Sequence, residues 1–505
     1  MLQTLRLQAP KGRQLHSYLI ARPSFFTASA LSASPPLASI WSRGLKTTVE
    51  AGQPDPRGEA FYTQLNDDQL NKGLRHETSL SAAGKPFDVE YLRESMARRP
   101  HRATYDHLSP THSHLLNIAL YDVLPRSAQA GAIPDFQKAA SKELVNPFAL
   151  PVTKSATGTA ADHERILPAG HHLVYYPLQR PISLLEPDGT DPAQSPGPPF
   201  VRRMWAGGSL HFLKPHQLAL NGQRTVCVEG LDTKNMVMRG EAGREKIFVD
   251  VVRRYGTADT NSSAPLSPDQ VLELEDGVWK DPALEERRTL VFLRAKNDNA
   301  SHGGHAAIEA EAKARPKTQE ERVIKANRAP QYSFSFTPTS TLLFQFSALS
   351  YNAHAIHLDV DYCRNVEGYR DLLVHGPLTL VLMLSALRGQ LHEVVRAGAS
   401  SSSLSTGHLP IPYRYIRKLD YRNLAPLYAN EELKVCVHRN AQDPSRDGQR
   451  RGFSRWDVWV ENSRGSICAR GTAITCPDTR EPTPRNAERP ASDDDQWEDE
   501  WYYEE

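Results

Sequence analysis

Apolar and polar positions alternate in two separate sets along the chain. In the first, Thr225-Val-Cys-Val228 is followed by Lys246-Ile-Phe-Val-Asp-Val-Val252 and by Arg288-Thr-Leu-Val-Phe-Leu293. In the second, Lys434-Val-Cys-Val437 is followed by Trp456-Asp-Val-Trp-Val460 and by Ile467 to Thr475. A period of two, carried by β-branched and aromatic residues, predicts strands with one buried face. The order Val-Cys-Val, then Asp-Val, recurs in both sets and predicts a diverged internal repeat of one strand-rich module. One stretch is different. Pro377 to Leu391 is apolar almost all round (Leu378, Leu380, Val381, Leu382, Met383, Leu384, Leu387). Such a helix must be buried on nearly every side, and Pro377, just behind Gly376, suits its first turn. A sheet wrapped around one central apolar helix is the simplest arrangement that buries both.

Breaks in the pattern divide the chain. Seven prolines between Pro177 and Pro199 read as a stiff, irregular connection. Lys296 to Arg328 is polar and rich in Ala, Glu and Lys, a linker or an exposed helix. Gly398 to Gly407 is serine-rich and reads as a flexible loop inside the second half.

At 505 residues the chain can bury more than one core, and its 39% apolar and 24% charged composition is slightly polar for a wholly folded protein. Lys+Arg number 60 against 59 Asp+Glu, a balance that argues against a general nucleic-acid binder. The five cysteines form no C-x-x-C pair, which disfavours a zinc ribbon or a disulfide scaffold and points to a reducing compartment. No apolar run reaches the 18 or so residues of a membrane span. The ends carry the opposite charges. Residues 1–49 hold six basic residues and no acid, the composition of an organelle transit peptide. Ala491 to Glu505 holds eight acids and no base, a solvated acidic tail with interspersed Trp and Tyr.

The densest polar cluster lies directly ahead of the apolar helix: Asn352, His354, His357, Asp359, Tyr362, Glu367, His375 and Gly376. Three readings fit the residue types. The first makes the histidines structural, with Asp359 as a cap. His354, His357 and Asp359 offer ligands to a metal, although no H-E-x-x-H accompanies them. Finally, an imidazole can move a proton near neutral pH while the Gly376 N–H, at a helix N-terminus, stabilises a developing oxyanion.

The run Phe346-Ser-Ala-Leu-Ser-Tyr-Asn-Ala-His-Ala-Ile-His-Leu-Asp359, with Tyr362, Glu367-Gly-Tyr369 and Leu373-Val-His-Gly-Pro377, resembles the hydratase motif of the MaoC-like, (R)-specific enoyl-thioester hydratases. The branch that holds the mitochondrial type 2 hydroxyacyl-thioester dehydratases is the most similar. Val201-Arg-Arg-Met-Trp-Ala-Gly-Gly208 resembles a second signature of that branch, which also includes mesaconyl- and itaconyl-type CoA hydratases.

The resemblance implies an α+β double hot-dog, each module an antiparallel sheet round a helix. The expected division is a mitochondrial transit peptide (1–49), an N-terminal extension (50–104), a degenerate hot-dog module shaping the pocket (105–295), a linker (296–330), the catalytic module (331–476) and an acidic tail (477–505). The family's catalytic histidine falls on His357. Its aspartate partner is Asn352 here, an amide that cannot ionise, and the asparagine of the bacterial form is His354. Gly376 would supply the oxyanion N–H. Asp359, Tyr362 and Glu367 would orient the histidine or brace its loop. Arg202, Arg203, Arg414 and Arg417 would meet the phosphates of a pantetheine arm or an acidic carrier protein.

The implied activity is dehydration of (3R)-3-hydroxyacyl thioesters, on an acyl-carrier protein or CoA, in mitochondrial type II fatty-acid synthesis in the matrix. Neither cofactor nor metal is expected, and a homodimer is compatible with the pattern. A branched dicarboxylic acyl-CoA hydratase is the alternative enzyme, and a catalytically silent acyl-binding protein the alternative class.

Overall fold

The computed structural model describes residues 89–129, 166–241, 243–258, 266–294, 323–398, 414–440 and 453–477. The acid-free N-terminus, most of the polar linker, the serine-rich run and the acidic tail lie outside the described residues.

In chain order the elements are α1 (Val89–Ala97), β1 (Arg102–His107), α2 (Pro110–Ala119), β2 (Arg202–Phe212), β3 (Arg224–Arg239), β4 (Lys246–Thr257), α3 (Pro268–Lys280) and β5 (Leu284–Leu293). The second half follows with β6 (Tyr332–Phe336), α4 (Ser340–Ser350), α5 (Gly376–Gly398), β7 (Arg414–Asn423), β8 (Leu433–Arg439), β9 (Ser454–Asn462) and β10 (Ile467–Pro477). The six alternating segments are strands, and the apolar run is α5.

All ten strands form one antiparallel sheet in the order β1-β3-β4-β5-β2-β7-β10-β9-β8-β6. Each half has the same internal order, first-third-fourth-fifth-second, so β3, β4 and β5 correspond to β8, β9 and β10. The recurrent Val-Cys-Val segments occupy equivalent strands. The halves join edge to edge, not face to face, where β2 pairs with β7 from Gly207↔Arg422 to His211↔Lys418. The two glycines of the first-half signature let β2 approach both of its neighbours, Gly208 on the β5 side and Gly207 on the β7 side. A Cβ on Gly208 would lie 1.9 Å from the Arg287 carbonyl oxygen, and one on Gly207 would lie 2.4 Å from that of Tyr421. Joining edges also removes two pairing-competent strand edges.

Helix α5 is the centre of the second half. Leu378, Leu380, Val381, Leu382, Met383, Leu384, Ala386 and Leu387 are almost wholly buried in one core with Leu419, Val435, Val458 and Ala473 of the strands. Each such Leu or Val contributes roughly 1.5–3 kcal/mol by burial. In the first half, by contrast, the segment Leu173, Val174, Tyr175 and Tyr176 joins that core against Leu210 and Tyr255. Helix α1 covers Ile247, Val249 and Val251 through Leu92 and Met96. On the other face, α3 covers Val226 and Val228 through Val278. Among the described residues, the first half has no long helix matching α5.

The boundaries shift slightly from those expected. Strand β1 begins at Arg102, so first-half structure starts ahead of residue 105. The end of the linker packs on the second half: Ile324 N donates to Ser466 Oγ and Ile467 N donates to Ile324 O. All five cysteines are buried and none is in a disulfide. Among the described residues no helix is long and apolar enough to cross a membrane.

Candidate active site

The site is built between the end of α4 and the start of α5. Thr339 caps α4 by accepting the Leu342 N–H at 3.2 Å, and Tyr351 ends it in the left-handed region at φ 52°. Asn352 then turns the chain, its side-chain oxygen accepting the His354 N–H at 3.0 Å. One 3-10 turn, Ala355–His357, follows immediately. Asp359 Oδ1 accepts the N–H groups of Asp361 and Tyr362 at 2.9 and 3.0 Å and starts the π-helical turn Tyr362–Glu367. Asp359 therefore serves the backbone as a cap and is itself exposed. Among the described residues no three potential metal ligands come together.

His357 is 6% exposed, and its Nδ1 lies 2.8 Å from the Leu373 carbonyl oxygen. A carbonyl can only accept, so Nδ1 carries the hydrogen and Nε2 holds a lone pair. Burial, with His354 nearby adding to it, pushes the His357 pKa down to about 3, so the ring is neutral at physiological pH. His375, fully buried, stacks on it with centroids 3.7 Å apart and planes inclined by 23°. Ser347 Oγ lies 2.8 Å from His375 Nε2, and Phe346 meets the His375 ring edge-on.

The next residue, Gly376, opens α5, a helix of 23 residues. Its N–H belongs to the first turn, where backbone donors have no partner within the helix and face outward at the positive end of the dipole. A Cβ here would lie 3.2 Å from Trp205 Cβ and 3.4 Å from Asn423 Nδ2. Trp205 is fixed in turn by Nε1–H bonds to Gly207 O and Tyr421 Oη, and the Arg288 guanidinium lies 4.9 Å over its ring.

His354 is also buried, edge-on to His357 with centroids 5.5 Å apart. Its Nε2 lies 3.4 Å from Asp188 Oδ2, a carboxylate from the proline-rich connection of the first half. That connection is therefore part of the site. Ala355 N donates to Asp188 O at 2.8 Å, and Gly189, at φ 82°, packs so closely that a Cβ would lie 2.2 Å from Ala353 O.

A second link between the halves is the Arg202–Glu367 pair, with Nε and an Nη of Arg202 at 2.8 and 2.5 Å from Glu367 Oε2. Burial and Glu367 raise the Tyr362 pKa, keeping that phenol protonated. Arg203 lies over Phe292 at 5.1 Å and, among the described residues, forms no ion pair.

The structure thus gathers Asn352, His354, His357, Glu367, Tyr362, Arg202 and Gly376, but not Arg414 and Arg417. Arg414 bonds Ser454 Oγ, and Arg417 bonds the carbonyls of Phe212 and Leu213. At about 3.3 Å per residue, they lie roughly 30 and 20 Å along β7 from Asn423, the residue beside Gly376. Asp188, Trp205, Ser347 and the stacking role of His375 had no local signal. Ser347, Trp205 and His375 all stood within the two motifs, but without an assigned role; Asp188 stood outside them.

Five strands in the order first-third-fourth-fifth-second around a buried helix, with a histidine-bearing loop ahead of that helix, are the α+β fold of a hot-dog hydro-lyase. The sequence profile for hydroxyacyl-thioester dehydratase type 2 matches residues 170–429, and the chain belongs to that family. It is 26% identical over 280 residues to the mitochondrial hydroxyacyl-thioester dehydratase type 2 of Schizosaccharomyces pombe, covering 54% of this chain and 77% of that protein. It is also 26% identical over 248 residues to the mesaconyl-C(4)-CoA hydratase of Chloroflexus aurantiacus, covering 48% of this chain and 72% of that protein. Among solved structures, a MaoC-like dehydratase from Phytophthora capsici matches with a TM-score of 0.41 at 12% identity, covering 76% of this chain and 99% of that one.

Proposed function

We propose that the protein dehydrates (3R)-3-hydroxyacyl thioesters, carried on an acyl-carrier protein, to trans-2-enoyl thioesters in mitochondrial type II fatty-acid synthesis in the matrix. The acid-free N-terminus and the mitochondrial relatives support that setting. The observation that carries the chemistry is the fixed tautomer of His357: a neutral imidazole with its Nε2 lone pair beside the N-terminus of α5.

The thioester carbonyl accepts the Gly376 N–H, which lowers the cost of developing negative charge on its oxygen. His357 Nε2 removes the α-proton. The C–H electron pair becomes the Cα–Cβ double bond as the bond from C3 to its hydroxyl breaks. Asn352, whose oxygen is already engaged by the His354 N–H, presents its NH₂ group as a donor that aligns the 3-hydroxyl. The same steps in reverse add water to an enoyl thioester.

The test is purified protein with crotonyl-CoA, followed by loss of enoyl absorbance, and then a series of acyl-CoA and acyl-carrier thioesters. A higher kcat/KM on carrier-bound substrates is the expected result. No hydration of any of them would leave an acyl-binding protein without activity.

A second reading, hydration of a branched dicarboxylic acyl-CoA, rests on Arg203, a buried cation near Asp188, Asp191 and Glu186 that forms no close ion pair among the described residues. If a mesaconyl thioester is the substrate, Arg203→Met raises its KM while leaving crotonyl-CoA turnover unchanged.

A further inference from the structure

We infer that His354 is the acid of this reaction, passing the proton on its Nδ1 to the departing 3-hydroxyl while Asp188, from the other half of the chain, holds its Nε2–H. The inference rests on the dehydration proposed above and supplies the step that it leaves open, the source of the proton that turns hydroxide into water.

Two histidines one turn apart sit in opposite surroundings. His357 faces a neutral carbonyl through Nδ1, so it has a lone pair to give and no second proton. His354 faces a carboxylate through Nε2 at 3.4 Å. Burial by itself would raise the Asp188 pKa, but the hydrogen bond and charge of His354, with the N–H and Oγ–H of Thr190, bring it to about 2. Asp188 is therefore ionised, and a buried carboxylate is the partner that an imidazolium requires. Among the described residues nothing hydrogen-bonds His354 Nδ1, so that edge of the ring is the one that can hand a proton to the substrate. A ring held by a carbonyl through Nδ1 and a neighbouring ring held by a carboxylate through Nε2 place a base and an acid side by side.

The geometry suits the division. The rings are 5.5 Å apart and nearly perpendicular, close enough to serve adjacent carbons from one side. The His354 backbone is tied to Asn352, and Asp188 is tied through its own carbonyl to Ala355, so acid and base share one rigid turn. Asn352 cannot fill the role, because an amide does not ionise.

The balance is complete. The α-proton goes to His357, the C–H pair forms the double bond, the C3–O pair leaves with oxygen, and the His354 proton makes that oxygen water. His357 then holds one proton more and His354 one fewer. A single proton transfer, direct or through the released water, resets both.

A leaving group that needs no proton separates this role from a structural one. (3R)-3-hydroxybutyryl-CoA and 3-fluorobutyryl-CoA of matching geometry are compared, since fluoride departs as an anion. His354→Gln is expected to lose ~10²–10⁴-fold in water elimination but to keep fluoride elimination near the wild-type rate. Asp188→Asn, which removes only the positioning carboxylate, should show the same asymmetry to a smaller extent. His357→Gln, lacking the base, should lose both. Equal loss of water and fluoride elimination in both the His354 and Asp188 variants would overturn the inference, as would unchanged water elimination in His354→Gln. A wild-type protein that eliminates neither would instead overturn the dehydratase reading on which it rests.

Discussion

The imidazole of His375 lies flat against that of His357, with centroids 3.7 Å apart. Because Leu373 O fixes the edge of the His357 ring and His375 fixes its face, the direction of the Nε2 lone pair is set before any substrate arrives. Preorganisation of this kind is costly to lose. A misplacement of about 1 Å at a reacting group can cost 10²-fold in rate. His375→Ala should therefore lower kcat by about 10- to 100-fold with little change in KM, in steady-state hydration of crotonyl-CoA. An unchanged kcat would show that the stack plays no part in positioning.

His357 and Asn352 should differ in degree. Loss of a general base typically costs ~10²–10⁴-fold, and that range is expected for His357→Ala. Asn352→Ala removes an aligning donor and the acceptor of one backbone N–H, and should cost less than His357→Ala in kcat. The comparison is made on one enoyl substrate, with circular dichroism confirming that both variants are folded. A larger loss in Asn352→Ala would reverse the two roles.

Gly189 links the halves by close approach. Its φ of 82° is costly for any side chain, and a Cβ would lie 2.2 Å from the Ala353 carbonyl oxygen. Gly189→Ala should destabilise the protein by about 2 kcal/mol or more, read from the urea midpoint. It should also lower kcat, because the Asp188 contacts to His354 and Ala355 depend on that approach. If stability falls and kcat does not, the connection is a brace without a part in the reaction.

What could be read from the sequence, and what could not, divides along physical lines. Period-two alternation identified β3, β4, β5, β8, β9 and β10 from their core-facing apolar positions, although β4 is buried on both faces from Val249 to Arg253. The all-apolar run identified α5 because that helix is buried on nearly every side. The edge-to-edge joint at β2 and β7 has no such trace, since it depends on how closely Gly207 lets the β7 backbone approach. Contacts across great sequence distance were equally hidden. Arg202 meets Glu367 165 residues later, and Asp188 meets His354 through a stretch that reads only as proline-rich. Arg414 and Arg417 show the converse. Their charge suggested a phosphate site, but charge carries no information on position along a strand, and both serve carbonyl or hydroxyl partners far from Gly376.

Buried histidines make the fold sensitive to mild acid. Burial lowers the pKa of His171, His172, His357 and His375, with His172 at about 4 and His357 at about 3. In the unfolded chain each titrates near 6.5. Between these values the unfolded state binds more protons than the folded one, so stability falls as pH falls below 6.5. At pH 5 the loss is about 2 kcal/mol each for His172 and His357 relative to neutral pH. Asp188 works within a different window. Its folded pKa of about 2 lies below the ordinary 3.8, so the stability it adds is present above pH 3.8 and is lost only on further acidification. Urea titrations at pH 7 and pH 5 should therefore show a marked loss of stability for the wild type. In His357→Gln that loss should shrink by about 2 kcal/mol, because the replaced side chain takes up no proton on unfolding. An equal pH dependence in wild type and variant would mean that His357 is protonated in the folded protein at pH 5 and cannot be a base kept neutral by burial.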